Sequence, residues 1–295
     1  MNDVDSAGLR CAACGGREAV GLYEGISRCR TCTHVFVDRS VPDEELVRLY
    51  QGSYFKGEEY LDYLADRLVL EKNFRARVRV LEKHWGDTSA QSLLEVGCAY
   101  GFFLNIIAPR FARAVGIDIS EDAVSYARQV LEVDARNIAI TDPQLELGGH
   151  YDVACMWDTI EHLAAPDACI EQLSKLVRPN GLLAVTTGDI SSLLARVRGR
   201  RWRLIHPPTH LHYFTRHSLR TLLARFGFQV IHDEACGFFR SVGNILYNVL
   251  ALRWRQQRLY DFLAKTPLVN AHLYLNTYDI RFVVARRIPQ PEPGK

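Results

Sequence analysis

The sequence predicts a doubly wound α/β protein with a mostly parallel, seven-stranded sheet and a small cysteine-rich module in front of it. Three observations carry this prediction: strand-like runs alternate with helical patterns from Ser92 onward, a glycine turn follows the first run, and two C-x2-C pairs lie near the N-terminus. Alternating strands and helices favour parallel pairing with right-handed crossovers. A chain of 295 residues, 48% of them apolar, can bury one large core.

Hydrophobic periodicity predicts each element in turn. Strands are expected at residues 92–96, 114–117, 137–140, 151–157, 182–187, 228–231 and 280–285. Helices are expected at 101–111, at 120–131 with Ser120 as N-cap, from the end of the fourth strand through 176, and at 218–226. Gly227 would end the last of these helices.

The same patterns divide the chain. Residues 1–42 would form a zinc-ribbon module, 43–88 a helical linker and 89–288 the main domain, with a disordered tail at 289–295. Two segments exceed the simple alternation and are read as insertions, 189–214 and 237–279. Long insertions in compact domains are usually lids or binding loops.

Composition excludes several classes of protein. The N-terminus lacks the basic and apolar regions of a secretory signal, and the longest uncharged apolar stretch, 241–252, is too short to span a membrane. A net charge of +2 argues against a nucleic-acid partner. Tight cysteine pairs that bind metal indicate a reducing compartment. We therefore expect a cytoplasmic protein, with contact to the inner membrane surface as an alternative.

The first predicted strand ends in a glycine turn suited to a nucleotide. Gly97 permits a sharp turn, and Gly101 opens a helix whose N–H groups favour an anion. Asp118 ends the second strand, a position suited to ribose hydroxyls. The spacing between the two glycines differs from the G-x-G-x-x-G of dinucleotide enzymes. The pairing of this turn with Asp118 favours a bound nucleotide over ordinary turn glycines.

These motifs resemble those of class I S-adenosylmethionine (SAM)-dependent methyltransferases. The resemblance is carried by residues 94–101, 116–118, 151–163, 176–181 and 222–228, in the same order and at matching intervals. It implies a Rossmann-like methyltransferase fold, SAM as cofactor and an enzyme that transfers methyl groups. Ala99 stands where many relatives have a glycine, and it is small enough to leave the turn open.

The resemblance also assigns the residues that would bind SAM: Glu95, Gly97, Cys98, Gly101, Asp118, Ile119, Asp142 and Trp157. The turn from Gly97 to Gly101 would line the methionine half, and Asp118 would hold the ribose. Around the adenine, Ile119 and Asp142 would lie at its edge, and Trp157 would close the pocket.

An acid–histidine segment follows the fourth strand. Asp158, Glu161 and His162 would share one face of a helical turn. They are interpreted either as a helix cap with Glu161 in a capping box, or as a catalytic set in which His162 is the base or orients the acceptor. Similar segments occur in ubiquinone-pathway O-methyltransferases and small-RNA 2′-O-methyltransferases, some of which bind a divalent metal. That resemblance adds a divalent metal at the active site as an alternative.

The first insertion contains the sequence HPPTHLHYF at 206–214. Its paired prolines predict an extended chain with His210 and His212 on the same side. The resemblance extends to this loop, which tends to reach over the acceptor, and it favours His210 as the catalytic residue with His212 second. A histidine that only ties down the loop is the alternative. The arginines of 196–203 are either a solvated face or phosphate contacts.

Cys11, Cys14, Cys29 and Cys32 form two C-x2-C knuckles with zinc-ribbon spacing. Four thiolates leave no open coordination position, so the predicted zinc is structural. The chain from Cys29 onward resembles bacterial methyltransferases that begin with a zinc ribbon. Sugar C-methyltransferases also begin with four cysteines but carry an extra C-terminal domain.

The second insertion is apolar and basic. Apolar residues from Phe238 to Trp254 recur at helical spacing, and Arg253, Arg255 and Arg258 add charge. Core packing, a lid over an apolar acceptor and a membrane-surface helix over 237–258 are the three interpretations.

Together these features predict SAM-dependent methyl transfer to a small-molecule, sugar or lipid-linked glycan acceptor, with O-methylation favoured. An RNA methyltransferase and a non-catalytic zinc-ribbon interaction protein are the alternatives.

Overall fold

The computed structural model describes residues 10–39, 41–42 and 63–289 of the chain. Within these ranges a cysteine module (residues 10–39) precedes one long helix and a central sheet with flanking helices. The first part of the predicted helical linker, residues 43–62, lies outside the described residues. So do all but the first residue of the predicted tail, 289–295.

The described strands are numbered in chain order. They are β1 (Ala19–Tyr23), β2 (Ile26–Cys29), β3 (Val35–Val37), β4 (Ser92–Val96), β5 (Arg113–Asp118), β6 (Ala135–Asn137), β7 (Tyr151–Trp157), β8 (Val177–Gly188), β9 (His212–Tyr213), β10 (Phe228–Ala235), β11 (Phe238–Ser241), β12 (His272–Leu275) and β13 (Ile280–Arg287).

Seven of these strands form the central sheet, in the order β10-β13-β8-β7-β4-β5-β6. β4 is parallel to both β5 and β7, and parallel pairing continues outward to β6 and β8. β13 lies between β8 and β10 and is antiparallel to both. The predicted doubly wound, mostly parallel sheet is therefore confirmed. The strand order reverses between β4 and β7, the point at which such folds bind ligands.

The described α-helices are α1 (Arg67–Leu81), α2 (Phe102–Ile107), α3 (Glu121–Val130), α4 (Pro166–Leu176), α5 (Leu193–Arg198), α6 (Arg216–Arg225), α7 (Val242–Leu246) and α8 (Gln257–Leu263). α1 buries residues at every third or fourth position: Val69, Asn73, Phe74, Arg77, Val78 and Leu81. This row follows the helical repeat, so the polar Asn73 and Arg77 point inward with their apolar neighbours.

Alternate residues of β7 enter two different apolar clusters. Ala154 and Met156 join one cluster, and Val153 and Cys155 join the other. Successive side chains of a strand point to opposite faces of its sheet. A central strand that is apolar on both faces is therefore covered on both, as expected for parallel sheets.

Several predicted elements have different bounds in the structure, and three of these differences have a local cause. The strand expected at 137–140 lies two residues earlier, as β6, because its ladder ends where Asp118 of β5 pairs with Asn137. The helix expected at 101–111 is α2 followed by a 3-10 turn at Ala108–Arg110, since Pro109 has no N–H to donate. The helix expected at 218–226 starts at Arg216 because Thr215 caps it.

The chain after β7 departs further from prediction. In place of one helix through residue 176, the structure has a 3-10 turn at Ile160–His162, a break and then α4. Asp158 has a φ of +51°, in the left-handed region, which no right-handed helix tolerates. The Asp158 carboxylate pairs with Arg77 and the Glu161 carboxyl group with Thr187, and the 3-10 turn has no side-chain cap, so the capping-box interpretation of these two acids is wrong.

Both insertions start at the edge of the sheet where the parallel strands end. The chain 189–214 contains α5 and β9, and 237–279 contains a two-stranded sheet of β11 and β12 together with α7 and α8. Phe238 and Phe239 belong to β11, so the helical stripe predicted from Phe238 onward is wrong in its first part. Over the described residues, no helix combines the length and apolar character needed to cross a bilayer.

Candidate active site

The turn after β4 has a backbone that side chains rarely permit. Gly97 and Gly101 both have a φ of +77°, and Ala99 has a φ of +45°. A Cβ on Gly97 would lie 2.5 Å from the side chain of Thr159, so only glycine fits there. The turn is thus pressed against the chain that follows β7.

Asp118 holds this turn from the end of β5. Its carboxylate accepts hydrogen bonds from the N–H groups of Ala99 at 2.8 Å and Ser120 at 2.9 Å. Burial raises the pKa of Asp118, and these N–H groups oppose the rise. The carboxylate therefore ties the glycine turn to the start of α3.

Glu95, next to the last residue of β4, is the most isolated acid in the region. Only 2% of the residue is exposed, and its Oε2 has no hydrogen-bond partner among the described residues. Burial raises the pKa of Glu95 well above its usual range, the charge of Asp118 adds to the rise, and Arg77 opposes it. A buried carboxyl oxygen without a partner is costly, which indicates a site for a polar or cationic ligand.

Trp157 lies in the apolar cluster between β7 and the helices. Its ring packs against Phe103 at 5.0 Å and Phe282 at 5.7 Å between centroids, and the Arg77 guanidinium lies 5.2 Å from it. The indole N–H is buried and also lacks a partner among the described residues.

The remaining predicted SAM-binding residues lie around the turn and the strand ends. Cys98 is buried, and its Cβ lies 2.8 Å from where a Cβ on Gly116 would stand. Ile119 is half-buried and packs against the cluster that contains Trp157. Asp142 is half-buried in the loop after β6, where its carboxylate accepts from the Gln144 N–H at 2.7 Å.

An arginine of α1 pairs with the first acid after β7. Arg77 donates to Asp158 at 2.7 Å, and only 8% of the Arg77 side chain is exposed. The guanidinium is enclosed by aromatic rings, among them Phe238 of the second insertion at 5.2 Å. Arg77 therefore joins α1, the acid–histidine segment and the insertion at one point.

Glu161 is buried at the sheet edge, where it contacts β8. It is 5% exposed and accepts a hydrogen bond from the Thr187 hydroxyl at 2.9 Å. Burial and the negative charge of Asp158 raise the pKa of Glu161 to about 8. The carboxyl group is thus protonated at neutral pH.

His162 and His210 meet edge to face. Their ring centroids lie 4.5 Å apart, and His162 Nδ1 donates to the Thr209 carbonyl oxygen at 2.8 Å. In the neutral ring the basic nitrogen is then Nε2. Burial lowers the pKa of both histidines, that of His210 to about 2. Two neutral imidazoles therefore stand side by side at the sheet edge.

The methyltransferase domain family matches residues 59–233, which is more than half of the chain. That range contains the glycine turn, Asp118 and both histidines. The chain belongs to this family. With the Rossmann-like sheet and its strand order, this makes it a class I SAM-dependent methyltransferase.

This methyltransferase is similar in sequence to proteins that are themselves named methyltransferases. It is 29% identical over 205 residues to a ubiquinone biosynthesis O-methyltransferase of Acinetobacter baylyi, an alignment covering 66% of this chain and 80% of that one. It is 25% identical over 147 residues to the Chromobacterium violaceum enzyme of the same name, covering 48% of this chain and 63% of that one. The chain thus spans under two thirds of the second relative.

A solved structure has the same fold. The magnesium protoporphyrin IX methyltransferase of Synechocystis PCC 6803, with S-adenosylhomocysteine (SAH) bound, superposes with a TM-score of 0.53 at 17% identity. The match covers 83% of this methyltransferase and all of that protein.

The loop 206–214 differs from its predicted extended form. The N–H groups of Thr209 and His210 both donate to the His206 carbonyl oxygen at 3.1 Å, so the chain turns here and extends only from β9. His210 faces His162, whereas His212 contacts His34 of the cysteine module at 3.0 Å. The two histidines predicted to share one side therefore have different partners.

The four cysteines of the module converge. Their sulfur atoms lie within 4.8 Å of one another, with Cys11–Cys32 at 3.5 Å and Cys14–Cys29 at 3.6 Å. Among the described residues this is the only group of three or more side chains arranged to hold a metal. The acid–histidine segment forms no such set, since its acids bind Arg77 and Thr187 instead.

The arginine cluster is mostly a solvated face. Arg196, Arg198 and Arg201 are exposed, Arg200 pairs with exposed Glu24 at 3.4 Å, and Arg203 pairs with buried Asp279. Trp202 within the cluster is buried and donates to Asp279 at 2.8 Å.

Sequence reasoning missed three side chains that shape the site. Arg77 and Asn73 each occupy a position in the apolar row of α1, and a polar residue at such a position is a signal that could have been read. Thr187 follows the apolar run of β8 at its carboxyl end, where parallel strands present ligand-binding residues.

Proposed function

We propose that this methyltransferase transfers the SAM methyl group to a hydroxyl oxygen of a small-molecule acceptor at the carboxyl edge of the sheet. Two relatives named O-methyltransferases and the neutral histidine pair support this reaction. A sugar or a lipid-linked glycan precursor is the finer form of the proposal. The exposed apolar and basic side chains of 237–279 favour an acceptor carried on a lipid.

The single observation that carries the proposal is the pair of acids beside the glycine turn, buried Glu95 and half-buried Asp118. Glu95 has an unpartnered oxygen, and burial raises the pKa of both Glu95 and Asp118. SAM brings a sulfonium, an ammonium and ribose hydroxyls, and so offers the hydrogen-bond donors and positive charge that the buried Glu95 carboxyl group lacks. The residues present therefore fit SAM.

Individual roles follow from the resemblance and the geometry. Asp118 would hold the ribose, Glu95 would lie toward the cationic end, and Gly97, Cys98 and Gly101 would line the turn. The roles of Ile119, Asp142 and Trp157 around the adenine rest on the resemblance.

SAM supplies an electrophilic methyl group when bound. We assign to His162 Nε2 the proton that the acceptor hydroxyl would lose as its oxygen takes the methyl group from the sulfonium, which would leave as SAH. The Thr209 carbonyl keeps the ring in the tautomer with Nδ1–H. His210 would contact the acceptor beside it, while Asp158 and Glu161 shape the wall. A lowered pKa keeps His162 neutral, and hence basic at Nε2, at physiological pH.

We further propose that the cysteine cluster holds a structural zinc ion. A tetrahedral ion with Zn–S bonds of about 2.3 Å has sulfur–sulfur edges of about 3.8 Å. The observed separations of 3.5 and 3.6 Å are close to that edge. Elemental analysis of protein prepared without added metal is expected to find one zinc per chain, and the quadruple Cys→Ser variant none.

Calorimetric titration with SAM tests the nucleotide site. Asp118→Ala is expected to weaken SAM binding about 10- to 100-fold, since it removes a buried charged acceptor and frees the turn. Asp134→Ala, which alters a carboxylate that pairs with Arg136 on the surface, is the matched control and should bind like the unmodified protein. Undiminished binding by Asp118→Ala would overturn the proposed site.

Transfer of labelled methyl groups from SAM to fractions of a cell extract tests the acceptor side. His162→Ala is expected to lower transfer about 100-fold or more while SAM affinity stays within about twofold. His217→Ala, at an exposed histidine of α6, is the control. Label in RNA would support the RNA alternative, and SAM binding without transfer to any fraction would support the non-catalytic one. Either result contradicts the proposal.

A further inference from the structure

The cysteine module is continuous with the chain that carries the active-site histidines. Its last strand, β3, pairs antiparallel with β9, and the N–H of Val37 donates to the Leu211 carbonyl oxygen at 2.9 Å. The sheet β1-β2-β3-β9 thereby reaches to within two residues of His210. A module that looks like an appendage in the sequence shares backbone hydrogen bonds with the acceptor loop.

Two stacked histidines seal this junction. His34, two residues after Cys32, and His212 of β9 lie 5.2 Å apart between centroids, with one ring nitrogen donating to the other at 3.0 Å. Both are buried, and Phe214 lies 4.7 Å from His34. Because water is excluded, the hydrogen bond between the two rings can be replaced only by another polar pair.

The cysteine knuckles hold the other side of the junction. The Cys29 N–H donates to the His34 carbonyl oxygen at 2.8 Å. Arg225, the last residue of α6, donates to the carbonyl oxygens of Ala12 and Ala13, at 2.7 and 2.9 Å, between the first two cysteines. Ligation of the four sulfurs would therefore rigidify β3 as well as the knuckles.

The loop 206–214 connects β9 to the candidate catalytic residues Glu161 and His162 through two hydrogen bonds. Leu211 donates its N–H to the Glu161 carbonyl oxygen at 2.8 Å, which fixes the loop against the acid–histidine segment. Two residues before Leu211, the Thr209 carbonyl accepts from His162 Nδ1. The Thr209 carbonyl and the backbone of Asp158, which also hydrogen-bonds to the ring, together set the tautomer of His162, so a shift of the loop changes one of these two contacts.

We propose that the cysteine module positions His162: its clamped cysteines hold β3, β3 holds the chain around β9, and that chain presents the Thr209 carbonyl that orients the imidazole. This inference rests on the proposed function of His162. It makes His34, His212 and Val37 positioning residues, since none of them touches the glycine turn or the facing rings of His162 and His210.

Nitrogen-15 NMR of histidine-labelled, full-length, zinc-loaded protein with SAH tests the proposal, because its chemical shifts report the tautomer. The unmodified protein is expected to hold His162 in the Nδ1–H form. His34→Leu should give a mixture of tautomers, whereas His34→Gln, whose amide can replace the Nε2 contact, should restore the single form. A single Nδ1–H form in His34→Leu would overturn the proposal.

A second pair of variants guards against misfolding of His34→Leu. Val37→Pro removes the N–H that binds Leu211, and Val37→Ala keeps it, so the proposal expects a tautomer mixture only in the first. SAH affinity should remain within about twofold in every variant, because the glycine turn is untouched. If the unmodified protein did not bind SAH, the proposed function would be contradicted instead. Failure of the positioning proposal and failure of the proposed function are therefore distinguishable.

Hydrogen exchange after chelation of the metal provides a readout independent of activity. In the full-length protein the amides of 206–214 are expected to exchange at least about tenfold faster after zinc removal, while those of β4 keep their protection. Faster exchange confined to the cysteine module would overturn the proposal, as would equal loss of protection throughout the chain.

Discussion

At the scale of single residues, the site is organised by where charge is suppressed. Glu161 is protonated and His162 and His210 are neutral, because burial disfavours the charged form of each. Asp158, by contrast, keeps Arg77 as its partner. One ion pair and three neutral groups therefore surround the place proposed for the acceptor.

Glu161→Gln is expected to flatten the dependence of stability on pH between 4.5 and about 8. The folded-state pKa of about 8 exceeds the ordinary value of 4.5, so the folded protein holds a proton that the unfolded chain has lost. The contribution of Glu161 to stability is thus greatest below pH 4.5 and declines as pH rises to about 8, by at most about 1.4 kcal/mol per pH unit.

Denaturant unfolding of the variant and the unmodified protein between pH 6.5 and 8.5 measures this difference. Glu171→Gln, at an exposed glutamate of α4, should keep the original slope. Parallel stability curves for Glu161→Gln and the unmodified protein would show that Glu161 is ionised in the fold.

At the scale of elements, α1 anchors the second insertion. Asn73 mimics a neighbouring strand: its Oδ1 accepts from the Phe239 N–H at 2.6 Å, and its Nδ2 donates to the Phe239 carbonyl oxygen at 3.1 Å. The two-stranded sheet of β11 and β12 is thereby held against the helix that supplies Arg77. The insertion and the ion pair with Asp158 are thus mechanically linked.

Asn73→Ala is expected to loosen the contact between α1 and the two-stranded sheet of β11 and β12. The two partly buried backbone groups of Phe239 lose their partner, at a cost of about 1–3 kcal/mol in the free energy of unfolding. Hydrogen exchange over 237–241 should accelerate by the factor that corresponds to this energy, about 5- to 150-fold, while exchange in β4 stays unchanged. Arg75→Ala, at an exposed position of the same helix, is the control. Unchanged exchange in Asn73→Ala would show that Asn73 does not anchor β11.

At the scale of the whole molecule, neutral buried histidines make the fold sensitive to acid. His210 has a folded pKa of about 2 against an ordinary 6.5, so below pH 6.5 the unfolded chain binds a proton that the folded one does not. Its contribution is present above pH 6.5 and is lost as pH falls, by up to about 1.4 kcal/mol per unit.

His210→Gln should therefore lose stability more slowly than the unmodified protein between pH 6.5 and 4.5, measured by denaturant unfolding. Glu161 titrates in the opposite sense over this range, so the informative quantity is the difference between the two proteins. An identical slope in both would mean that His210 is protonated in the fold.

The second insertion also bears on the whole molecule, because it exposes apolar and basic side chains together. Trp254 is 60% exposed and Phe262 69% exposed, and Arg253, Arg255 and Arg258 are exposed beside them. We propose that this surface, which includes the end of the predicted 237–258 segment, contacts anionic lipid.

Sedimentation with phosphatidylglycerol vesicles tests the contact. The double variant Trp254→Ala/Phe262→Ala is expected to lower the bound fraction about tenfold, since each ring buries apolar area in the interface. Leu68→Ala/Val130→Ala removes equally exposed apolar side chains from α1 and α3 and should bind as before. Equal binding by both double variants would exclude this surface.

Local patterns in the sequence determined the α/β architecture, the glycine turn with Asp118, and the cysteine pairs. Each depends on a short spacing: the repeat of a strand or helix, the three residues between Gly97 and Gly101, and the two residues between paired cysteines. Backbone geometry and ligand spacing act over the same few residues, so one chain segment is enough to read them.

Only the tertiary structure decided which side chains share the site. Arg77 and Asp158 are 81 positions apart, His162 and Thr209 are 47 apart, and His34 and His212 are 178 apart. No local spacing encodes such pairs, and the protonation of each group depends on burial that exists only once the sheet, α1 and the insertions have packed together.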